Sequence, residues 1–244
     1  MEEIVVHKYK DMDLEGASII NGFPTKGLVS TIVANYLIGS LNLDQIGALD
    51  SETFPPISMI YASKPKFPAR IYADESSKVV VFLSEFTPAP GMARPIAYTM
   101  LKWARDQECK RIIAPEVILV DDDSDGVEVY GIGSTDRARR DLENLDLRPF
   151  VHGMISGVSA VILNEGKRTG YDVISLVAQA RRSIPDARAA AKIIEIITNI
   201  IPSLDVDVKP LYKEAEQIEI FLKDLREQAE TLAVPDEPST GMYL

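Results

Sequence analysis

The chain alternates short apolar runs with segments of helical period. Val79 to Leu83 is unbroken in apolar residues inside "KVVVFLSEF", the mark of a strand covered on both faces. "YDVISLVAQA" reads as another buried strand, and "ASIINGFP", "QIGALD", "SMIYA" and "ARIYAD" are further strand candidates. "GLVSTIVANYLIGSL" instead sets Leu28, Val29, Ile32, Val33, Tyr36 and Leu37 at helical spacing. "PGMARPIAYTMLKWARDQE" predicts a helix with Pro95 in its first turn, where a missing N–H has no partner to lose. "STDRARRDLENL", "SGVSAVILNEGKR" and "PDARAAAKIIEIITNII" predict three more helices, the last entered at Pro185. "RIIAPEVILV" and "VEVYGIGS" flank "DDDSDG" and predict a hairpin around an acidic turn. Alternation of this kind predicts an α/β fold, a mixed sheet flanked by helices.

The most regular pattern comes last. Leu211, Ala215, Ile218, Leu222, Leu225, Ala229 and Leu232 step by four and three, a heptad seam. It predicts a helix over 211–232, packed either on its own domain or against a second subunit. Residues 1–232 are expected to form one α/β domain. Residues 233–244 hold two prolines and break the helical pattern, so a flexible tail is expected there. That tail ends in Met242, Tyr243 and Leu244, although disordered tails are normally polar throughout. A carboxylate behind an apolar anchor can pair with a lysine or with backbone N–H groups on a partner. Tyrosine supplies a large ring with a polar tip, and methionine an adaptable apolar filler. Twelve residues from Ala233 span at most ~40 Å when extended.

Composition narrows the function. Net charge is −11, which argues against nucleic acid or an anionic membrane as partner. The lone cysteine, Cys109, permits no intrachain disulfide and fits a reducing cytoplasmic setting. The N-terminus lacks the apolar core of a signal peptide, and no run is long and apolar enough to predict a membrane span.

Motifs for catalysis or cofactor binding fail on inspection. "GFPTKG", Gly22 to Gly27, has P-loop glycine spacing, but Leu28 and Val29 stand where Lys and Ser/Thr are required. What remains is a tight turn, or a helix entry able to hold an anion. Asp121, Asp123 and Asp125 begin like a calcium loop, yet Ile132 stands where the closing glutamate belongs. His7 and His152 show no zinc spacing with Cys109. His152 and Ser156 in "HGMISG" would form a base and nucleophile only on one helix face. Arg137, Arg139 and Arg140 alternate with Asp136, Asp141 and Glu143, as on a salt-laced helix surface. No cofactor, metal or catalytic residue is therefore expected.

Three segments together resemble the proteasome assembly chaperones, specifically their archaeal, ATP-independent branch. They are "NGFPTKGLVSTIVANYLIGSLNLDQIGALDSETFPP", "GMISGVSAVILNEGKRTGYDVISLVAQARRSIPDARAAAKIIEIITNII" and "VDVKPLYKEAEQIEIFLKDL", in that order. The resemblance implies an α/β fold similar to that of nucleoside phosphorylases, a homo-oligomer, and no enzymatic activity. It also implies a C-terminal hydrophobic–tyrosine–any motif that docks between α-subunits of the proteasome core particle. That motif falls on Met242, Tyr243 and Leu244. "GFPTKG" departs from the more glycine-rich loop of the family. Two other readings remain open: a small-molecule, nucleoside-type enzyme by fold analogy, and an oligomeric scaffold joined through the heptad helix.

Overall fold

The structure, a computed structural model, describes residues 4–24, 28–120, 127–181 and 186–213. The tail 233–244 and most of the heptad segment, from 214 on, lie outside the described residues, as do 25–27, the acidic segment 121–126 and the expected helix entry at Pro185.

Ten strands and five helices are described: β1 (Val5–Lys8), β2 (Ser18–Gly22), α1 (Val29–Ser40), β3 (Asp44–Asp50), β4 (Met59–Tyr61), β5 (Lys64–Lys66), β6 (Ala69–Asp74) and β7 (Val79–Ser84). There follow α2 (Ala93–Asp106), β8 (Arg111–Val120), β9 (Val129–Gly133), α3 (Asp136–Glu143), α4 (Gly157–Thr169), β10 (Val173–Arg181) and α5 (Ala187–Ile200). Eight strands form one sheet in the order β1-β3-β6-β7-β2-β8-β10-β9. Its centre, β7, β2, β8 and β10, is parallel, while β6 pairs antiparallel on one side and β9 on the other. The expected mixed α/β sheet is present.

The two-residue period of a strand sends alternate side chains to opposite faces. Ile20, Val79, Val81, Leu83 and Ile113 face α1 and α5, whereas Ile19, Val80, Phe82 and Ile112 face α2 and α4. Both faces of β7 are buried throughout, which is why its sequence shows no polar alternation. Capping follows the sequence signals. Thr135 accepts the Ala138 N–H at the start of α3, and Asp186 accepts the Ala189 N–H at the start of α5.

Three features depart from the pattern reading. First, β8 and β9 do not form a hairpin. The largely apolar β10, buried from Val173 to Ala178, inserts between them, parallel to β8 and antiparallel to β9. A strand that must be buried on both faces takes the inner place, and the half-buried β9 is left at the edge. Second, "SMIYA" does not enter the main sheet. Met59–Tyr61 pairs with Lys64–Lys66 in a separate hairpin, turned at Ala62 and Ser63, both with positive φ. Third, Gly22 closes β2 rather than opening a turn. A Cβ there would lie 2.4 Å from the Ala34 Cβ and 2.7 Å from the Phe82 carbonyl oxygen. Its role is to let α1 pack tightly on the strand.

Leu211, the first heptad position, is buried in the α1–α5 core, and Tyr212 donates its hydroxyl to Glu195 Oε1 of α5 at 2.8 Å. This end of the segment packs on its own domain.

Candidate functional site

β7, β2 and β8 are parallel neighbours, so their carboxyl ends lie side by side. The chain leaves β2 toward β3 on one flank, and leaves β8 toward β9 and β10 on the other. A reversal of this kind opens a crevice at the strand ends, the place where open α/β sheets hold ligands. Here the crevice is a cleft of ≈ 790 Å³. The turn after β2 (Phe23, Pro24), the segment after β7 (Thr87 to Pro90) and the entry to α4 form its walls.

The polar floor follows from strand register. Asn21 lies two residues beyond Ile19, and Glu116 four residues beyond Ile112, so both point to the α2–α4 face. Glu116 is the last fully buried residue of β8, at the point where the strand leaves the core. Opposite them, Gly157 opens α4 with φ 72°, a conformation that favours glycine, and turns the incoming loop into the helix. Its first turn then presents Ser159. Asn21 Nδ2 donates to Ser159 Oγ at 3.0 Å, and the Phe23 N–H donates to Asn21 Oδ1 at 3.3 Å.

Glu116 is only 7% exposed. Burial pushes its carboxyl up to about 7, against the opposing hydrogen bonds of the Ser159 hydroxyl and the Val117 N–H. Its Oε1 is buried without a hydrogen-bond partner among the described residues. Other charge at the cleft is largely spent: Glu165 of α4 accepts two hydrogen bonds from Arg168, at 2.9 and 2.6 Å. The cleft floor thus carries a buried, unpartnered carboxyl oxygen on a group that exchanges its proton near neutrality, beside apolar walls and the polar side chains of Thr87, Ser156 and Asn164.

The expected docking residues Met242, Tyr243 and Leu244 lie outside the described residues. Of the Gly22–Gly27 loop, Gly22, Phe23 and Pro24 are described, and the last two line the cleft. His152 and Ser156 share no helix face: both precede α4, Ser156 as its N-cap. Of the α3 arginines, Arg139 pairs with Asp136 along the helix as the pattern suggested, whereas Arg137 reaches off the helix to the buried Asp172, and Asp141 pairs with the buried Arg111 at 2.9 Å. Among the described residues, no three His, Cys, Asp or Glu side chains cluster as metal ligands, and no helix is long and apolar enough to cross a bilayer. Asn21, Glu116 and Ser159 were not singled out from the sequence. The available signal was a lone acid inside "RIIAPEVILV" and a lone amide inside "SIING", each interrupting a strand that is otherwise apolar.

Comparison with known proteins places this architecture. An uncharacterized protein of Methanocaldococcus jannaschii is 27% identical over 233 residues, spanning 96% of this chain and 95% of that one. The crystal structure of Pyrococcus furiosus PbaA superposes with a TM-score of 0.85 at 30% identity over 94% of both chains; it is described as an archaeal homolog of proteasome-assembly chaperone. Pyrococcus furiosus PbaB, described as an archaeal proteasome activator, shares the fold with a TM-score of 0.79 at 22% identity, over 93% of this chain and all of that one. The model of the PAC2 family matches residues 19–226, the whole of the sheet from β2 onward and every helix that covers it, and the chain belongs to that family.

Proposed function

We propose that the protein is a non-enzymatic, ATP-independent chaperone or activator of the proteasome, acting as a homo-oligomer on the α-ring of the core particle. The likeness to PbaA over 94% of both chains carries this reading. The tail supplies the means of attachment. Met242 and Tyr243 enter an apolar slot between α-subunits, and the carboxylate of Leu244 pairs with a lysine there. One charge-assisted bond of that type contributes about 1.5–3 kcal/mol, so a single tail binds weakly. Several tails on one oligomer bind together and gain ~10²–10⁴ in avidity when their spacing matches the ring.

The test is capture of the archaeal core particle by three forms of the full protein: unaltered, truncated before Gly241, and extended by one residue after Leu244. The unaltered protein is expected to retain the particle and the other two to lose it. Equal capture by all three removes the tail from the mechanism. Absence of capture by every form, with the oligomer intact, removes the proteasome.

A further inference from the structure

We propose that the crevice between β2 and β8 is a binding site for a small organic molecule carrying a primary amine, whose ammonium group donates to Oε1 of Glu116 while its apolar body lies against Pro24, Pro88 and Val117. The proposal does not depend on proteasome docking.

Four observations converge on it. The cleft, ≈ 790 Å³, has the size of pockets that enclose small ligands. It lies at the reversal of strand order, where the fold leaves the sheet uncovered. Its floor holds a carboxyl oxygen that is buried without a partner among the described residues, a costly state for the protein alone. Finally, the neighbours of that carboxyl are fixed: Asn21 holds Ser159, and Ser159 engages Glu116. A ligand donor completes the set once the Glu116 carboxyl turns that oxygen into the cleft.

The sign of the ligand follows from the groups present. An anion would face Glu116 directly, and the remaining acid at the cleft, Glu165, is paired with Arg168. Arg94 of α2 stands exposed at the rim, 3.4 Å from the Tyr98 hydroxyl, and is the cation among the lining residues. Asn21, Ser159 and, across β10, Val177 bring no charge to Glu116. An ammonium therefore finds a carboxylate with no competing cation beside it. Because burial holds that carboxyl near 7, the amine binds with release of a proton and more tightly at higher pH.

The experiment is titration calorimetry of the full chain with benzylamine, benzyl alcohol and benzoate, at pH 6 and pH 8. Benzylamine is expected to bind saturably, ~10-fold more weakly at pH 6, as expected for a carboxyl titrating near 7. In Glu116→Gln the affinity should fall about tenfold at pH 8 and its pH dependence disappear. Ser156→Trp, at the exposed mouth, should weaken benzylamine without touching the core, and serves as the decisive variant if Glu116→Gln misfolds by near-UV dichroism. No saturable benzylamine binding overturns the proposal, as does equal binding of benzyl alcohol or benzoate. So does affinity unchanged in a folded Glu116→Gln or in Ser156→Trp.

Discussion

Arg70 on β6 and Glu116 on β8 are both buried in the same sheet, 1% and 7% exposed, and their surroundings are opposite in kind. The Arg70 guanidinium donates to Glu85 Oε1 at 2.5 Å and to the Phe67 carbonyl at 3.0 Å, and lies 5.1 Å from the ring centre of Tyr61. Tyr61 in turn donates to the same Glu85 oxygen at 2.8 Å. Only Nε lacks a partner among the described residues. Glu116 has a hydroxyl and a backbone N–H as partners, and one buried oxygen without a partner among the described residues beside the cleft. The difference separates two uses of a buried charge. Where ring, carbonyl and counter-ion close around it, the charge is part of the frame. Where an oxygen is left without a partner beside a cavity, the frame stops short, and that is the place proposed for a ligand group.

That contrast breaks most sharply at Glu85. Glu85→Ala leaves Arg70 buried without its counter-ion, and stability should fall by about 3–5 kcal/mol, read from urea denaturation. A loss under ~1 kcal/mol would mean that the Tyr61 ring, the Tyr72 ring 5.9 Å away and the Phe67 carbonyl hold the guanidinium alone.

Glu116 should behave in the reverse sense. Its folded carboxyl titrates near 7, above the ordinary value, so the native state binds its proton more tightly than the unfolded chain does. The contribution of this one group is then greatest in acid, falls as the pH rises from ~4.5, and levels off above ~7. Glu116→Gln removes that decline. The variant should exceed the parent by about 3 kcal/mol at pH 8 and match it near pH 4. A parent–variant difference that does not grow across this window would place the carboxyl back in its ordinary range.

Asp172 tests the intermediate case. Its side chain is 2% exposed, accepts the Thr135 hydroxyl at 2.5 Å and pairs with Arg137, which is itself 60% exposed. Asp172→Asn should cost only about 1.5–3 kcal/mol, because the orphaned Arg137 can turn to water. A cost equal to that of Glu85→Ala would show that burial of one partner suffices.

The smallest effect belongs to Cys109. Burial pushes its thiol up to about 12, and the residue is away from the cleft. It should resist thiol reagents in the folded protein up to pH ~9 and react only on unfolding. Fast labelling of native protein would reveal an opening between Leu14 and α2 that the packing does not show.

Most elements were legible because local pattern and tertiary role agree. The apolar run of β7, the helical spacing in α1 and the caps of α3 and α5 each reflect one physical requirement that stays within a few residues. The candidate cleft was not legible for the converse reason. Asn21 and Ser159 stand 138 residues apart, and no spacing rule joins a strand end to the first turn of a helix so far along the chain. The hairpin expected from β8 and β9 failed in the same way. Sequence neighbours pair when nothing better is available, and β10 was better suited to the inner place.

From the residues alone came the α/β class, most of the strands and helices but not β1 or β5, the acidic net charge and the three segments that resemble proteasome assembly chaperones. These depend on periodicity, composition and local motif, which a linear string carries in full. Tertiary structure decided the strand order, the packing reason for Gly22, and the meeting of Asn21, Glu116 and Ser159 at one crevice. Such features depend on which faces compete for burial once the sheet is assembled, and that competition is settled only when all the elements pack together.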